Sequence, residues 1–402
     1  IRDRSGKWSF SIDRQDNGEK EKWFSHTLND CINLPGSMPE KLKGDEVTAK
    51  TQWTGSLYDS SYYYNPYMEK YRKEGNIKFP FFLTPDKHYV GAAWYQKEVN
   101  IPADWKGERI LLFLERPHIE TTVWVNGQKT GMQNSLCVPH QYDITRYVRP
   151  GKCTITIRVD NRIKEINVGP DSHSITDQTQ GNWNGIVGRI CLQTTPKTYF
   201  DDIQIYPEPE QKLARVKVVI KGAGITKIKL SAESFNTDKK HIVPAIQQEI
   251  KLNKGVTETE MVLPMGNDML LWDEFHPALY KLKAEVTNGK KTEIKEIQFG
   301  MRRFEIKGKW FYVNGRKTQL RGTVENCDFP LTGYAPMDVE SWERVFRICR
   351  SYGLNHMRFH SFCPPEAAFI AADRVGFYLQ PEGPSWPNHG PKLGLGQPID
   401  TY

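Results

Sequence analysis

"GLNHMRFHSFCPPEAAFIAADRVGFYLQPEG", residues 353–383, decides the fold of the C-terminal region. Residues 354–359 and 377–383 read as short strands, and 364–376 as a helix with proline in its first turn. Immediately upstream, "MDVESWERVFRICRSYG" (337–353) places apolar residues at 342, 345, 346 and 349, a helical spacing. Asp338 is an N-cap candidate and Gly353 stands where a C-terminal cap belongs. Before that helix, "KTQLRGTV" (317–324) reads as another strand. Strand, helix, strand, helix, strand with short loops implies parallel βαβ units, the opening of a (β/α) barrel or of a doubly wound sheet.

Within this stretch His356, Arg358 and His360 occupy alternate positions. Alternate strand residues share a face, so three basic groups stand side by side. Such a face needs a polar cavity or acidic partners. In parallel α/β structures ligands meet the C-terminal ends of the strands. Those ends supply Arg321, Glu325, Asn326 and Asp328, then Arg358, His360 and Ser361, then Glu382 and Trp386. Carboxylates, a guanidinium, an imidazole and an aromatic platform on one rim are the ingredients of a pocket for a polyhydroxylated ligand. Arg358 has two readings: contact with that ligand, or an internal ion pair to Glu325 or Glu382. Glu325 and Glu382 could also form a hydrolytic carboxylate pair, although nothing in the sequence singles them out for it. His356 and His360, four apart, would lie ~13 Å from each other on a strand, too far to share a metal. Cys363 reads as a packed thiol rather than a nucleophile, since no base is placed beside it.

Working towards the N-terminus, residues 201–300 alternate apolar and polar positions in "RVKVVIKG", "KIKLSAESF" and "YKLKAEVTNGKKTEIKEIQFG". Their span matches an immunoglobulin-like β-sandwich, read as a spacer without a ligand of its own. Residues 1–200 are a run of short strands: "RILLFLE" (109–115), "TTVWVNGQKTG" (121–131) and "CTITIRVDN" (153–161). Asn126-Gly127 is a hairpin signal, because a two-residue turn needs positive φ. Many short strands between turns imply a jelly-roll-like β-sandwich, with 52–89, rich in Tyr, Phe and Pro, as a long decorated loop.

The totals agree with an ordinary globular chain. Its 402 residues suggest several domains, with 38% hydrophobic and 26% charged residues. No apolar run approaches the ~20 residues of a membrane helix. The net charge of +7 is spread thinly, without a block of lysine or arginine, which argues against nucleic acid as a partner. The seven cysteines lie far apart and form no CxxC, so a structural zinc is not expected. Eleven tryptophans and 18 tyrosines suit flat ligands such as sugars as well as cores.

In this light the chain resembles the N-terminal portion of glycoside hydrolase family 2, the β-galactosidase and β-glucuronidase group. "GKWSFSID" and "LPGSM" resemble the family's opening, and "WYQKEVNIP", "VWVNGQKTG" and "YDITRYVRPGKCTITIRVDN" its sugar-binding jelly roll. "WNGIVGRICL" resembles the closing strand of that domain. "LLWDEFHPALYKLKAEV" and "FGMRRFEIKGKWFYVNGRKTQLRGT" resemble the immunoglobulin-like sandwich and its entry into a TIM barrel, and 353–383 the second and third barrel strands. The resemblance implies three domains: a jelly roll over 1–200, an immunoglobulin-like sandwich over 201–300 and the start of the barrel over 301–402. It implies a retaining exo-glycosidase of periplasmic or secreted type, acting on an oligosaccharide or polysaccharide fragment. No organic cofactor is required, while room remains for a divalent cation or Na+ near the active site. Arg358 would line the sugar pocket, and Asp177 in "DQTQGNW" would sit on a loop reaching towards it.

Two local departures affect the site. The family commonly has Ser-His-Tyr-Pro after this arginine, whereas here Phe359-His360-Ser361-Phe362-Cys363-Pro364 shifts the histidine's register. Glu382-Gly383 stands where many members have Asp-Glu followed by Ala or Gly and Asn. A third departure concerns length. The family's acid/base and nucleophile glutamates end its fourth and seventh barrel strands, and no fourth strand is visible before Tyr402. The expectation is that neither catalytic residue lies in this chain, that it is a fragment, and that alone it is inactive. Two alternatives belong to other classes. One is a non-catalytic carbohydrate-binding module, with Trp94, Trp124 or Trp183 lining a groove; exposed rings would favour it and buried rings oppose it. The other is a scaffold for homo-oligomers, since sandwich faces are natural interfaces.

Overall fold

A computed structural model describes residues 1–48, 50–54, 64–77, 85–164, 175 and 181–383. Asp177 and Trp386 lie outside the described residues. The fold is mainly β, in several sheets with few helices. Among the described residues no helix is long and apolar enough to cross a membrane.

Two antiparallel sheets share the first core. One runs Arg2–Asp3, Gly185–Thr195, Arg109–His118, His140–Asp143, with Gly36–Ser37 also paired to Gly185–Thr195. The other runs Gln128–Asn134, Glu120–Val125, Gly151–Asp160, Ala92–Ile101, Gly6–Asp13, Asp30–Leu34. Alternation puts Ile110, Leu112 and Leu114 of one sheet against Val123, Val125, Ile155 and Ile157 of the other, all in one buried cluster. The hairpin between Glu120–Val125 and Gln128–Asn134 turns at Asn126 and Gly127, with φ of 49° and 77°. Both values are positive, as a two-residue turn of this hand requires. Trp94 and Trp124 stack at 5.0 Å on the opposite side of their sheet, covered by Trp23 and Phe24. At 0% and 2% exposure they offer no face to a ligand, and Trp183, at 6%, is buried as well.

A third antiparallel assembly follows. The strand Leu213–Ser234 pairs along its length with Ile242–Pro264, and the register shifts between Gly222 and Gly224. Its first half pairs with Tyr199–Glu208 and its second half with Tyr280–Asn288, which in turn pairs with Lys291–Phe299. Side chains from both halves, Val216 and Val218 with Ile228 and Leu230, meet in one core.

After a meander of Phe304–Lys307, Trp310–Val313 and Arg316–Thr318, the polypeptide changes to parallel pairing. Strands Gly322–Glu325, His356–Phe359 and Tyr378–Gln380 lie side by side, joined by helices Val339–Ser351 and Glu366–Val375. The expected strand 317–324 is thus two strands. Arg316–Thr318 completes the meander, and the parallel strand begins only at Gly322, where the Asn355 side-chain oxygen accepts the Arg321 amide, the Asn355 amide donates to the Arg321 carbonyl, and the chain is redirected. Asp338 caps the first helix, its side chain accepting the Ser341 amide at 2.7 Å. Gly353 and Gly376 follow the two helices at φ 79° and 76°, a conformation that other residues resist. Both helices cover one face of the strands, where Met357, Phe359, Trp342, Phe346, Ala368 and Ala371 form the core.

Phe346 is fully buried and stacks on Phe377 at 4.8 Å and on Trp342 at 5.7 Å. Phe346→Ala is expected to destabilise the parallel unit by about 3–5 kcal/mol, through lost transfer energy plus the cavity left behind. Urea unfolding followed by tryptophan fluorescence checks this, and an unchanged transition would contradict it.

Candidate strand-end site

Alternation along His356–Phe359 separates two roles. Met357 and Phe359 are buried towards the helices, while His356 and Arg358 are half-buried on the other face. Gly322 pairs with His356 in register, and a Cβ on Gly322 would come within 2.4 Å of the His356 Nδ1. The absence of a side chain there lets the imidazole lie across the neighbouring strand. Burial lowers the His356 pKa, which favours the neutral ring.

Arg358 and Glu382 form the centre of the rim. Arg358 Nε donates to Glu382 Oε1 at 2.5 Å and Nη2 to Oε2 at 3.1 Å, a two-point pair. Ser361 N donates to the same Oε2 at 2.9 Å. Ser361 is buried and left-handed, with φ 62°, a conformation costing an L-residue about 1–2 kcal/mol. That turn is what points its amide at the carboxylate. Burial would raise the Glu382 carboxyl, yet the Arg358 hydrogen bonds, the Ser361 amide and the charge of His360 outweigh it and hold it below the ordinary carboxylate value. A carboxylate held by these donors suits an anchor that fixes the arginine, more than a free nucleophile. His360 stands just beyond the strand, Nδ1 3.1 Å from Asn326 Oδ1, and its amide donates to the Glu325 carbonyl at 2.9 Å.

The other candidates divide. Glu325 pairs in register with Phe359, and Val324 with Arg358, so the Glu325 side chain lies on the helix side, away from Arg358. Arg358 therefore pairs with Glu382 and not with Glu325. Glu325 Oε1 accepts the Cys327 amide at 2.8 Å, while Oε2 is buried without a hydrogen bond. Arg321 precedes its strand rather than following it, so it stands at the opposite end from the rim. There Nε donates to the Gly353 carbonyl at 2.7 Å, and Nη2 lies 3.6 Å from Glu274. A cavity of about 550 Å³ beside His356 is walled by Phe304, Phe311, Leu320 and Tyr378. Another of about 750 Å³ lies between Pro35, Ile190 and the loop at Phe329–Met337, and Arg358, His360 and Glu382 line neither. Among the described residues no group of three or more His, Cys, Asp or Glu side chains is arranged to hold a metal ion, and Glu382 is already engaged.

Cross-links that the sequence did not announce hold the rim in place. Arg116, on Arg109–His118, donates to the carbonyls of Cys363 at 3.1 Å, Pro364 at 3.3 Å and Cys137 at 3.4 Å. Arg189 pairs with Glu366 at 2.6 Å, and Tyr334 donates to Glu40 at 2.9 Å. Asn355, 2% exposed, donates to Glu274 Oε2 at 2.6 Å and ties the parallel unit to the third assembly. Isolated arginines and an asparagine carry no spacing signal that would have revealed these partners.

Comparison with known proteins places this arrangement among relatives. The profile described as "Glycosyl hydrolases family 2, sugar binding domain" matches residues 1–196, and "Glycosyl hydrolases family 2" matches 198–302. A β-galactosidase of Thermoanaerobacter pseudethanolicus is 25% identical over 334 residues, 78% of this chain and 42% of that protein. Human β-glucuronidase is 25% identical over 330 residues, 74% of this chain and 48% of that protein. The chain thus spans less than half the length of either. Among solved structures, a glycosyl hydrolase family 2 member from Bacteroides cellulosilyticus superposes with a TM-score of 0.69 at 19% identity, covering 95% of this chain and 48% of that one. The β-glucuronidase of Ruminococcus gnavus gives 0.69 at 19%, covering 95% and 58%.

The buried Glu325 sets a pH dependence. Burial, with Asp328 adding to it and the Cys327 amide opposing it, raises its carboxyl from 4.5 to about 7. The unfolded chain loses this proton near 4.5 and the folded chain near 7, so stability falls as pH rises through that window. Glu325→Gln is expected to remove that fall, gaining roughly 1–3 kcal/mol at about pH 8 relative to about pH 5. Urea midpoints at the two pH values measure it; equal pH dependence in both proteins would contradict it.

Proposed function

This chain belongs to glycoside hydrolase family 2, and on that premise we propose that it forms the N-terminal portion of a retaining exo-glycosidase of the β-galactosidase and β-glucuronidase type. Residues 1–200 are then the sugar-binding jelly roll, 201–300 the immunoglobulin-like sandwich and 301–402 the start of the TIM barrel. The substrate is the terminal sugar of an oligosaccharide or polysaccharide fragment. The single observation that supports a sugar pocket at the strand ends is the fixed Arg358. Its guanidinium is oriented by Glu382 on a half-exposed rim, with His360 beside it.

In this reading each residue acts by its chemistry. Arg358 and His360 donate hydrogen bonds to sugar hydroxyls, and Glu382 keeps the arginine in one orientation. Glu325 supports the strand from behind rather than touching sugar. Hydrolysis proceeds by double displacement: one glutamic acid protonates the leaving oxygen, a second carboxylate attacks the anomeric carbon, and water releases the sugar. Glu382 is committed to Arg358 and Glu325 faces the helices, so the acting carboxylates belong to a further part of the barrel. The burial of Trp94, Trp124 and Trp183 counts against a lectin groove on the first sheets.

A panel of nitrophenyl glycosides tests the proposal on the 402-residue chain beside a form extended through a full barrel. Hydrolysis by the extended form only, with one sugar preferred, is the expected outcome. Hydrolysis by the short chain would mean that its own carboxylates act, and would overturn the assignment. In the extended form Arg358→Ala is expected to lower kcat/KM roughly 10–150-fold, the equivalent of the ~1.5–3 kcal/mol of one charged hydrogen bond. Unchanged kcat/KM would remove Arg358 from the pocket.

A further inference from the structure

Three cysteines line one small cavity. Cys137, just past strand Gln128–Asn134, Cys327, just past Gly322–Glu325, and Cys363, just before helix Glu366–Val375, share this space of about 60 Å³ with Arg116, Trp183 and Tyr334. All seven cysteines of the chain are free thiols. Arg116 grips two of these backbones at once: Nη1 donates to the Cys363 carbonyl at 3.1 Å and Nη2 to the Cys137 carbonyl at 3.4 Å. A disulfide asks for α-carbons roughly 4.4–6.8 Å apart, and here one planar guanidinium ties both backbones to a single group beside a shared cavity.

The third thiol is set apart. Cys327 packs among the side chains of the helix-covered core, and its burial, with Glu325 beside it, makes it hold its proton firmly. By exposure all three cysteines are partly buried, so what distinguishes Cys327 is its packing against the helix-covered core. Burial raises the Cys363 thiol, and Cys137 raises it further while Arg116 opposes this.

We propose that Cys137 and Cys363 form an oxidisable thiol pair that closes into an intramolecular disulfide by exchange with a low-molecular-weight disulfide such as oxidised glutathione. One cysteine thiolate attacks a glutathione sulfur, breaking that S–S bond and releasing one glutathione thiolate, which takes up the proton. The second cysteine, deprotonated, attacks the mixed disulfide at the protein sulfur and releases the second glutathione. The protein loses two protons and two electrons, and oxidised glutathione becomes two thiols. The bond ties the loop after Gln128–Asn134 to the corner that carries Ser361, two residues from Cys363, and so clamps the turn that aims the Ser361 amide at Glu382.

The test is incubation of the folded chain with oxidised glutathione, an acid quench, alkylation of the remaining thiols and peptide mass spectrometry without reduction. The expected product is a cross-linked peptide pair containing Cys137 and Cys363, lighter by two hydrogens than the two free peptides. The exposed Cys31 carries a glutathione adduct as the internal control for reagent. Cys327→Ser keeps the cross-link. Cys137→Ser and Cys363→Ser each abolish it and leave a glutathione adduct on the other cysteine. Glutathione adducts on Cys137 and Cys363 without a cross-link, a cross-link to Cys327, or unreacted Cys137 and Cys363 while Cys31 is modified would each overturn the proposal.

Discussion

The carboxylate of Glu382 is held by two atoms of one guanidinium and by one backbone amide, and the order of the strand-end rim depends on that grip. Each donor comes from a different local rule. Arg358 reaches it because strand alternation turns Met357 and Phe359 towards the helices and leaves Arg358 facing the other way. Ser361 reaches it because the chain leaves the strand through a left-handed residue. Glu382 is placed by the parallel register, in which Arg358 pairs with Gln380, two residues before the carboxylate. A half-exposed ion pair adds little stability by itself. Its value here is geometric, since it leaves a guanidinium with one orientation and free donors.

Such a rim needs a foundation, and the antiparallel sheets supply it. Arg116 satisfies two carbonyls, of Cys363 and Pro364, in the corner after the second parallel strand, where proline has removed backbone donors, and a third, of Cys137, in the loop after Gln128–Asn134. At the opposite end Arg350 donates to the carbonyls of Val375 at 2.7 Å and Gly376 at 3.0 Å, and also to that of Glu274. Trp272 Nε1 donates to the Asp373 carbonyl at 2.7 Å. Carbonyls at helix ends require partners; Arg350 provides them from the adjoining helix, and Trp272 reaches across from the neighbouring assembly. The positions of the strand ends are thereby linked to the cores of the other sheets.

Much of this was legible in residues 353–383, because period, caps and turn residues act locally. The helix over 337–353 announced itself by its apolar spacing, Asp338 and Gly353, and the Asn126-Gly127 hairpin by its need for positive φ. The division of 317–324 was not legible, since the break is made by Asn355, more than thirty residues away. The site was legible in part. Alternation placed His356 and Arg358 on one face, but choosing between Glu325 and Glu382 as the partner of Arg358 depends on register across the sheet. A residue at a strand's end faces one side or the other according to a count that the sequence alone leaves open by one. Arg116, Arg189 and Asn355 gave no signal, because their partners are backbone carbonyls and carboxylates from distant segments.

The central claim is that carbohydrate engages the ends of the parallel strands, not the faces of the antiparallel sheets. Hydrogen–deuterium exchange with and without a hydrolysis-resistant glycoside reads this most directly. The account predicts slower exchange across 358–361 and 381–383, including the Ser361 amide, with the strands around Trp94 and Trp124 unchanged. Protection confined to the antiparallel sheets, with 358–361 unaffected, would contradict it and make the chain a sugar-binding module.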